Sequence, residues 1–208
     1  HMRREKMIEA REWIRAELDR CTNFWLNNGI DRENGGVYTC LDRKGKVFST
    51  DKSVWMQGRC GWIFAYLCHV YGVKDEWLEA SRSCLDFMEE HCFNHEAGDR
   101  MYFTVTAEGE PLRQRRYYFS ESFCAIANAE YYALTGEKKR IERARQVYDM
   151  YWDLSRGMKD PTGLGPKGIP ETRTGRAFGL PMIYLNMTSV LLRVDPEREA
   201  LYKERAKL

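Results

Sequence analysis

The chain has 208 residues, with 33 lysines and arginines against 31 aspartates and glutamates, and 13% of its residues are aromatic. A net charge of only +2 gives no reason to expect nucleic acid or an anionic membrane surface as a partner. No apolar run is long enough to span a bilayer, and no signal peptide opens the chain. We therefore expect one cytoplasmic domain over residues 3–208, with residues 1 and 2 as the remnant of an expression tag.

The cysteines argue against a disulfide scaffold and against a zinc site. Seven are present, an odd number, and no Cys-x-x-Cys pair occurs. Most of them fall on apolar helix faces, which predicts buried thiols in a reducing compartment. They are Cys21, Cys40, Cys60, Cys68, Cys84, Cys92 and Cys124.

The hydrophobic pattern predicts a mostly helical chain. A hairpin is expected over 34–49, with Lys44-Gly45 at its turn, and a short strand over 101–106. Residues 156–179 hold six glycines and three prolines, so no regular element is expected there. Thr50 or Asp51, Asp75 and Asp195 are the expected caps of the second, third and last helices. The predicted helices cover 4–27, 52–71, 76–92, 116–135, 138–155, 180–193 and 196–207.

The helices fall into two alternating classes. Those over 52–71, 116–135 and 180–193 are apolar around most of their circumference, whereas the others are amphipathic. In the first helix, for example, Ile14, Leu18, Cys21 and Trp25 form one apolar stripe. Such alternation predicts an inner and an outer layer, as in a toroid of helical hairpins. Seven helices form only part of such a ring, and the exposed flanks would need cover from another segment or another copy of the chain.

The helix over 52–71 contains the most unusual residues. Arg59 lies near the middle of an otherwise apolar helix, separated from Gln57 by Gly58 and followed two residues later by Gly61. Burying an arginine is costly unless an anion or a carboxylate meets it. The two glycines weaken the helix, which predicts either close helix packing or a ligand near the backbone.

Four motifs occur in a recognisable order. Asp51-Lys52-Ser53-Val54-Trp55-Met56-Gln57-Gly58-Arg59 is preceded by Asp31, Gly35-Gly36 and Leu41-Asp42-Arg43-Lys44-Gly45. Tyr118-Phe119-Ser120-Glu121-Ser122-Phe123 and Gly179-Leu180-Pro181-Met182-Ile183-Tyr184-Leu185-Asn186 follow. Together they resemble the N-acylglucosamine 2-epimerase (renin-binding-protein) family. The resemblance implies the first half of an all-α, (α/α)6 barrel.

The resemblance also implies a chemistry. The family interconverts N-acetylglucosamine and N-acetylmannosamine by removing the proton on carbon 2 and returning it on the opposite face. That reaction needs a base, an acid and a positive group beside the developing enolate oxygen. In the family the acid and base are two histidines of the second half. The histidines here are His1, His69, His91 and His95, and none lies at a family catalytic position.

The site residues follow from the matched motifs. Arg59 and Glu121 are expected as catalytic residues, with Arg59 steadying the enolate and Glu121 pairing with Arg59 or binding a sugar hydroxyl. No cofactor is required, but ATP is a possible allosteric effector through the loop that carries Lys167. Arg113, Arg115 and Arg116 favour a solvated basic turn over a phosphate site. The expected substrate-binding residues are Tyr38, Trp55, Gln57, Tyr118 (or Tyr117), Met182 and Asn186.

Three functions remain open at this point. The first is an isomerase of the N-acylglucosamine 2-epimerase type, acting on a small-molecule sugar. The second is a non-catalytic carbohydrate- or protein-binding module on the same fold. The third, a glycoside hydrolase, would need two facing carboxylates, and Glu121 has no obvious mate. Closure of the ring by self-association or by a missing C-terminal half is expected in every case.

Overall fold

The fold is known from a computed structural model, which describes residues 2–169, 171–172, 175 and 177–207. The prediction of an all-α class is confirmed, and most helix ends lie within two or three residues of the predicted ones. The helices are α1 Met2–Asn28, α2 Val54–Tyr71, α3 Asp75–His91, α4 Phe119–Thr135, α5 Lys138–Ser155, α6 Gly179–Val194 and α7 Glu199–Arg205.

Short antiparallel strands lie in the loops between the helices. The predicted hairpin is present as one pair, and Gly45 takes a positive φ of 89° at its turn. A second pair follows α3, and a three-stranded sheet joins the start of α2 to the hairpin before α4. The strands are β1 Cys40–Leu41, β2 Val47–Ser49, β3 Lys52–Ser53, β4 Phe93–Asn94, β5 Arg100–Met101, β6 Thr104–Val105 and β7 Pro111–Arg113.

The predicted caps need correction. Lys52 and Ser53 pair with Val105 and Thr104, so α2 begins only at Val54 and neither Thr50 nor Asp51 caps it. Asp75 is the first residue of α3 rather than its cap. Asp195 does occupy the position before a 3-10 turn at Pro196–Arg198, but its carboxylate binds Arg145 and Tyr202 instead of backbone N–H groups.

The two inner helices α2 and α4 lie against each other at Gly58. A Cβ atom on Gly58 would come within 2.7 Å of Cβ and 2.8 Å of the carbonyl carbon of Phe123. Of the two explanations for the glycines, close helix packing is therefore the one that the structure supports at Gly58. The helices α3 and α5 pack outside this pair, as predicted for an outer layer.

The seven described helices form an arc, and α1 and α6, which border its open side, are buried less completely than the hydrophobic pattern predicts. Helix α6 buries Tyr184, Met187 and Leu191, but Met182 and Leu185 are 53% and 45% exposed, so it is not wrapped all round. On α1, Ile14 is 60% exposed and Cys21 is also exposed, which corrects the predicted buried stripe. Both helices border the open side of the arc, where no described element packs on them.

The seven cysteines are all free. Five of them are buried, namely those on α2, α3 and α4 and the one just after α3. Burial raises the pKa of Cys124 to about 12, so this thiol stays protonated at neutral pH. Cys21 is exposed and Cys40 half-buried, in contrast to the expectation of buried thiols. Among the described helices, none combines the length and the apolar character that crossing a bilayer requires.

Candidate functional site

A cavity of about 610 Å³ lies between α1, α2, the segment before β1, α4 and α6. Three predicted site residues line it: Tyr38, Arg59 and Asn186. Apolar side chains make up most of the remaining lining. They include Trp25 from α1, Trp62 from α2, and Phe123 and Ile126 from α4. The sequence motifs therefore do converge on one concave site, the usual location for a small ligand.

Arg59 is exposed at this cavity rather than buried in the helix core. In the described part of the chain, no carboxylate lies within ion-pair distance of its guanidinium, so the predicted pairing with Glu121 is wrong. The guanidinium instead lies over the ring of Phe123, 5.4 Å from its centroid. Its N–H donors are thus available to a ligand, and the cost of a buried charge does not arise.

Gln57 stands behind the cavity rather than in its lining. It is fully buried, and its amide binds both backbone groups of Val37, at 2.8 Å to the N–H and 2.7 Å to the carbonyl oxygen. A direct sugar contact, as predicted for Gln57, is incompatible with this placement. Gln57 is a positioning residue, because it fixes the segment that carries Tyr38 into the cavity.

A buried ion pair supports the same segment. The Nζ atom of Lys52 donates to Oδ2 of Asp31 at 2.7 Å and to the carbonyl oxygens of Gly35 and Ala107, each at 2.8 Å. Burial opposes ionisation of Asp31, but Lys52 and two backbone N–H groups outweigh it and lower the pKa of this carboxyl. Burial and the Asp31 carboxylate together raise the pKa of Tyr38, so its hydroxyl stays protonated as a hydrogen-bond donor.

Glu121 is fully buried and pairs with Arg100, not with Arg59. Its Oε1 atom accepts hydrogen bonds from Nε of Arg100 at 2.7 Å and from the backbone N–H of Met101 at 2.8 Å. Burial raises the pKa of Glu121, although Arg100 counteracts the shift. The side chain does not line the cavity, so its predicted direct role in catalysis or in hydroxyl binding has no support from its position.

Trp55 and Tyr118 belong to aromatic clusters beside the cavity. Trp55 meets Phe103, Phe119 and Phe123 edge to face, with centroids 5.3–6.2 Å apart. Tyr118 packs edge to face on Tyr151 at 4.6 Å. Neither side chain lines the cavity directly, so their predicted sugar contacts stay predictions.

The remaining predicted residues lie on α6 and on the loop before it. Met182 and Asn186, one helical turn apart, line a smaller cavity of about 280 Å³ that also touches Phe123 and Ile126. Asn186 therefore connects the two cavities. Lys167 lies exposed on the long loop, and its predicted contact with ATP stays a prediction.

The three described histidines do not line the cavity. His69 is exposed at the end of α2, and His91 is in contact with Gly109. His95 lies 2.6 Å from Asp99 and is 69% exposed. These placements agree with their interpretation as structural residues.

Several lining residues were not predicted, although a simple signal was present. The cavity is also lined by Met56, which lies three residues before Arg59, and by Cys60 and Ile63, which lie one and four residues after it. Helical spacing alone would have placed Met56 and Ile63 on the same face as Arg59. The contribution of α1, through Trp25, Thr22 and Leu18, had no such signal, because it depends on tertiary packing.

The cavity is equipped to bind a polar ring but not to move a proton. Arg59 and the amide of Asn186 supply hydrogen-bond donors, and Tyr38 and Thr39 supply hydroxyls. Trp25, Trp62 and Phe123 supply apolar faces. Among the described lining residues, Arg59 is the one lysine, arginine, aspartate or glutamate, and none is a histidine.

Comparison with known proteins decides the family. The family model for N-acylglucosamine 2-epimerase (GlcNAc 2-epimerase) matches residues 36–206. The chain belongs to the N-acylglucosamine 2-epimerase family. It is 31% identical to the N-acylglucosamine 2-epimerase of Bos taurus over 202 residues, which cover 96% of this chain and 47% of the bovine protein. The human protein of the same name is 30% identical over 208 residues, with similar coverage.

The fold comparison agrees with the predicted barrel. Cellobiose 2-epimerase from Bacillus thermoamylovorans B4167 superposes with a TM-score of 0.76 at 21% identity, over 89% of this chain and 50% of that one. The chain thus has the fold of one half of the (α/α)6 barrel found in this family, as predicted. It spans about half the length of the curated relatives that it matches.

Proposed function

We propose that this chain is the sugar-binding half of an epimerase that inverts carbon 2 of an N-acetylhexosamine or a related aldose. The observation that carries the proposal is Arg59, whose guanidinium meets no carboxylate among the residues that the structure describes and lies in a cavity that also presents Tyr38 and Asn186. Relatives named N-acylglucosamine 2-epimerase and cellobiose 2-epimerase support this choice of reaction.

In the proposed mechanism Arg59 acts on the open-chain sugar. When the proton on carbon 2 leaves, negative charge develops on the neighbouring carbonyl oxygen, and a guanidinium held beside that oxygen stabilises the enolate. Tyr38, Thr39 and Asn186 orient the sugar through its hydroxyls. The base and the acid come from outside the described lining, and we assign them to the other half of the barrel.

The other half has a place to bind. Apolar side chains on α1 and α6, at the open side of the arc, are exposed although they belong to helices of the barrel. We propose that further sequence of the same protein covers them and completes the cavity, with a second copy of this chain as the other possible source. We further propose a cytoplasmic location, in line with seven free cysteines, and ATP as an allosteric effector near Lys167.

The test separates binding from chemistry. N-acetylmannosamine is added to the chain in heavy water, with and without ATP, and NMR follows both saturation transfer to the sugar and loss of the hydrogen on carbon 2. We expect binding without exchange, and we expect Arg59→Ala to weaken binding by roughly tenfold because a charged hydrogen bond is lost. Arg82→Ala, which removes an exposed arginine of α3, is the matched control and should bind normally.

Three outcomes would change the proposal. Equal sugar binding by Arg59→Ala and the control would remove Arg59 from the site. Carbon 2 exchange by the chain alone, abolished in Arg59→Ala, would show that a base here has been overlooked. A longer form with both halves that binds the sugar but never exchanges its hydrogen would favour the non-catalytic binding module.

A further inference from the structure

Arg100 is a fully buried charge that the proposed chemistry does not use. It lies on β5, a strand of only two residues, far along the chain from most of the groups that it binds. Removing a guanidinium from water is costly unless its donors are satisfied and its charge is balanced. The groups that satisfy Arg100 therefore show which parts of the chain this residue is needed to hold.

Four hydrogen bonds join Arg100 to three other segments. Its Nε atom donates to Oε1 of Glu121 at 2.7 Å, and its Nη1 atom donates to Oδ2 of Asp160 at 2.5 Å. Its Nη2 atom donates to the carbonyl oxygens of Arg115 and Tyr117, each at 3.2 Å. The planar, five-donor fork of arginine makes this set possible, and an ammonium with three donors cannot reproduce it.

The two carboxylates are themselves held in place. Glu121 also accepts the backbone N–H of Met101, which ties β5 to the first turn of α4. Asp160 uses its other oxygen to accept hydrogen bonds from the backbone N–H and the hydroxyl of Thr162. Pro161 lies against Gly98, where an added Cβ atom would come within 3.0 Å of its ring. The start of the long loop is thus docked on the turn before β5.

The carbonyl contacts fix the segment 114–118, which we call the α4 entry segment. It has no regular structure of its own, and it leads directly into α4 at Phe119. The ring of Tyr117 stacks on Phe119 at 5.8 Å, and Phe119 meets Trp55, which in turn meets Phe123 in the cavity lining. A shift of the entry segment would therefore be transmitted through aromatic contacts to the cavity.

We propose that Arg100 is a positioning residue that holds the α4 entry segment, and with it Tyr117 and Tyr118, in the arrangement that sugar binding needs. The inference rests on the proposed function for its consequence in sugar binding, but its structural part does not. Glu121 and Asp160 balance the charge of Arg100 and aim its fork at the two carbonyl oxygens. This role also explains why Glu121 is buried beneath the site instead of lining it.

Arg100→Lys retains the positive charge but removes the planar guanidinium, so it tests whether the geometry of the guanidinium is needed. We expect amide hydrogen exchange in the α4 entry segment to rise at least tenfold, since two carbonyl contacts that restrain local opening are lost. We expect the dissociation constant for N-acetylmannosamine to rise by about three- to tenfold. The matched control is Arg140→Lys, because Arg140 is also buried and also pairs with two carboxylates, Asp86 and Glu137, but on the outer helix α5.

The control separates a positioning role from general destabilisation. Both variants should lower the melting temperature, but only Arg100→Lys should raise exchange in the entry segment and weaken sugar binding. Equal exchange there in the two variants would overturn the proposal. If the wild-type chain binds no sugar, the proposed function fails by itself, and the exchange comparison still decides the role of Arg100.

A second variant keeps the proposal testable if Arg100→Lys does not fold. Asp160 is 16% exposed, so Asp160→Asn should fold while it removes one charge that aims the fork. We expect faster exchange both at 158–162 and in the α4 entry segment. Faster exchange confined to 158–162 would show that the entry segment is held independently of Arg100 and Asp160, and would contradict the proposal.

Discussion

At the scale of single residues, Gly58 shows how one missing side chain sets the distance between two inner helices. An added Cβ atom would meet the backbone carbonyl carbon of Phe123 at 2.8 Å and the backbone nitrogen of Cys124 at 3.0 Å. Backbone atoms cannot move aside as a flexible side chain can. Helix α2 therefore approaches α4 closely only because position 58 is glycine.

Gly58→Ala should destabilise the fold by about 1–3 kcal/mol, since overpacking against backbone outweighs the better helix propensity of alanine. Gly61→Ala on the same helix is the matched control. There, the added Cβ atom would find Cys84 and Ala127 at 3.4 and 3.5 Å, ordinary contact distances. The control should be neutral or stabilising by up to about 1 kcal/mol. Urea denaturation of both variants measures the difference, and equal effects would contradict the packing argument.

At this scale, the sequence did not reveal which side chains form ion pairs with one another. Arg59 and Glu121 both lie in recognisable motifs, which predict that the two pair with each other. In the structure Glu121 forms its ion pair with Arg100, which lies in a two-residue strand without periodicity or a conspicuous neighbour. Hydrophobic periodicity reports which face of an element is buried, but it does not report which distant side chain meets a buried charge.

At the scale of elements, the C-terminal helix depends on one buried carboxylate. Asp195 is 2% exposed and accepts two hydrogen bonds from Arg145 of α5, at 2.7 and 2.6 Å, and one from Tyr202 of α7 at 2.6 Å. Burial opposes ionisation of Asp195, but Arg145 and Tyr202 outweigh it and lower its pKa. A lowered folded-state pKa stabilises the fold above the unfolded pKa, and this contribution is lost as the pH falls through the folded value.

Asp195→Asn should therefore cost about 1.5–3 kcal/mol at pH 7, the range for hydrogen bonds to charged groups. The difference from wild type should shrink at pH 3.5 by at most about 0.7 kcal/mol, the limit set by an unfolded pKa near 3.9. Urea denaturation between pH 7 and 3.5 checks both values. The control, Glu197→Gln, removes an 81% exposed partner of the same arginine and should cost less than about 1 kcal/mol. A difference that grows on acidification would contradict the assignment.

Element positions were the best-predicted feature, because long amphipathic patterns are averaged over many residues. The first residues of the helices were predicted less well, because local cap signals competed with pairing between distant segments. Thr50 and Asp51 are good cap residues, yet Lys52 and Ser53 join a sheet with Val105 and Thr104 and delay the helix to Val54. That pairing joins segments about 50 residues apart, which no local window contains.

At the scale of the whole molecule, the arc of helices ends in two apolar edges. On α1, Trp13 and Met7 are each 66% exposed, and on α6, Met182 and Leu185 remain about half exposed. The chain spans about half the length of its relatives, and in the proposed complete barrel the other half would pack on these edges. Closure of the ring was expected from the pattern alone, but the role of α1 as an open edge depends on neighbours that its own sequence does not specify.

Trp13→Glu should weaken assembly if α1 is covered in the intact barrel. In a protein that carries both halves, or in a dimer of this chain, burying a glutamate in place of an apolar ring should lower the unfolding free energy by about 2–4 kcal/mol. Leu112→Glu is the matched control, because Leu112 is 51% exposed but lies on a loop strand, and a solvated surface substitution is usually within about 0.5 kcal/mol. Sedimentation velocity and urea denaturation measure the two effects. Should both variants assemble and unfold like wild type, the edge formed by α1 faces solvent, and ring closure must use a different surface.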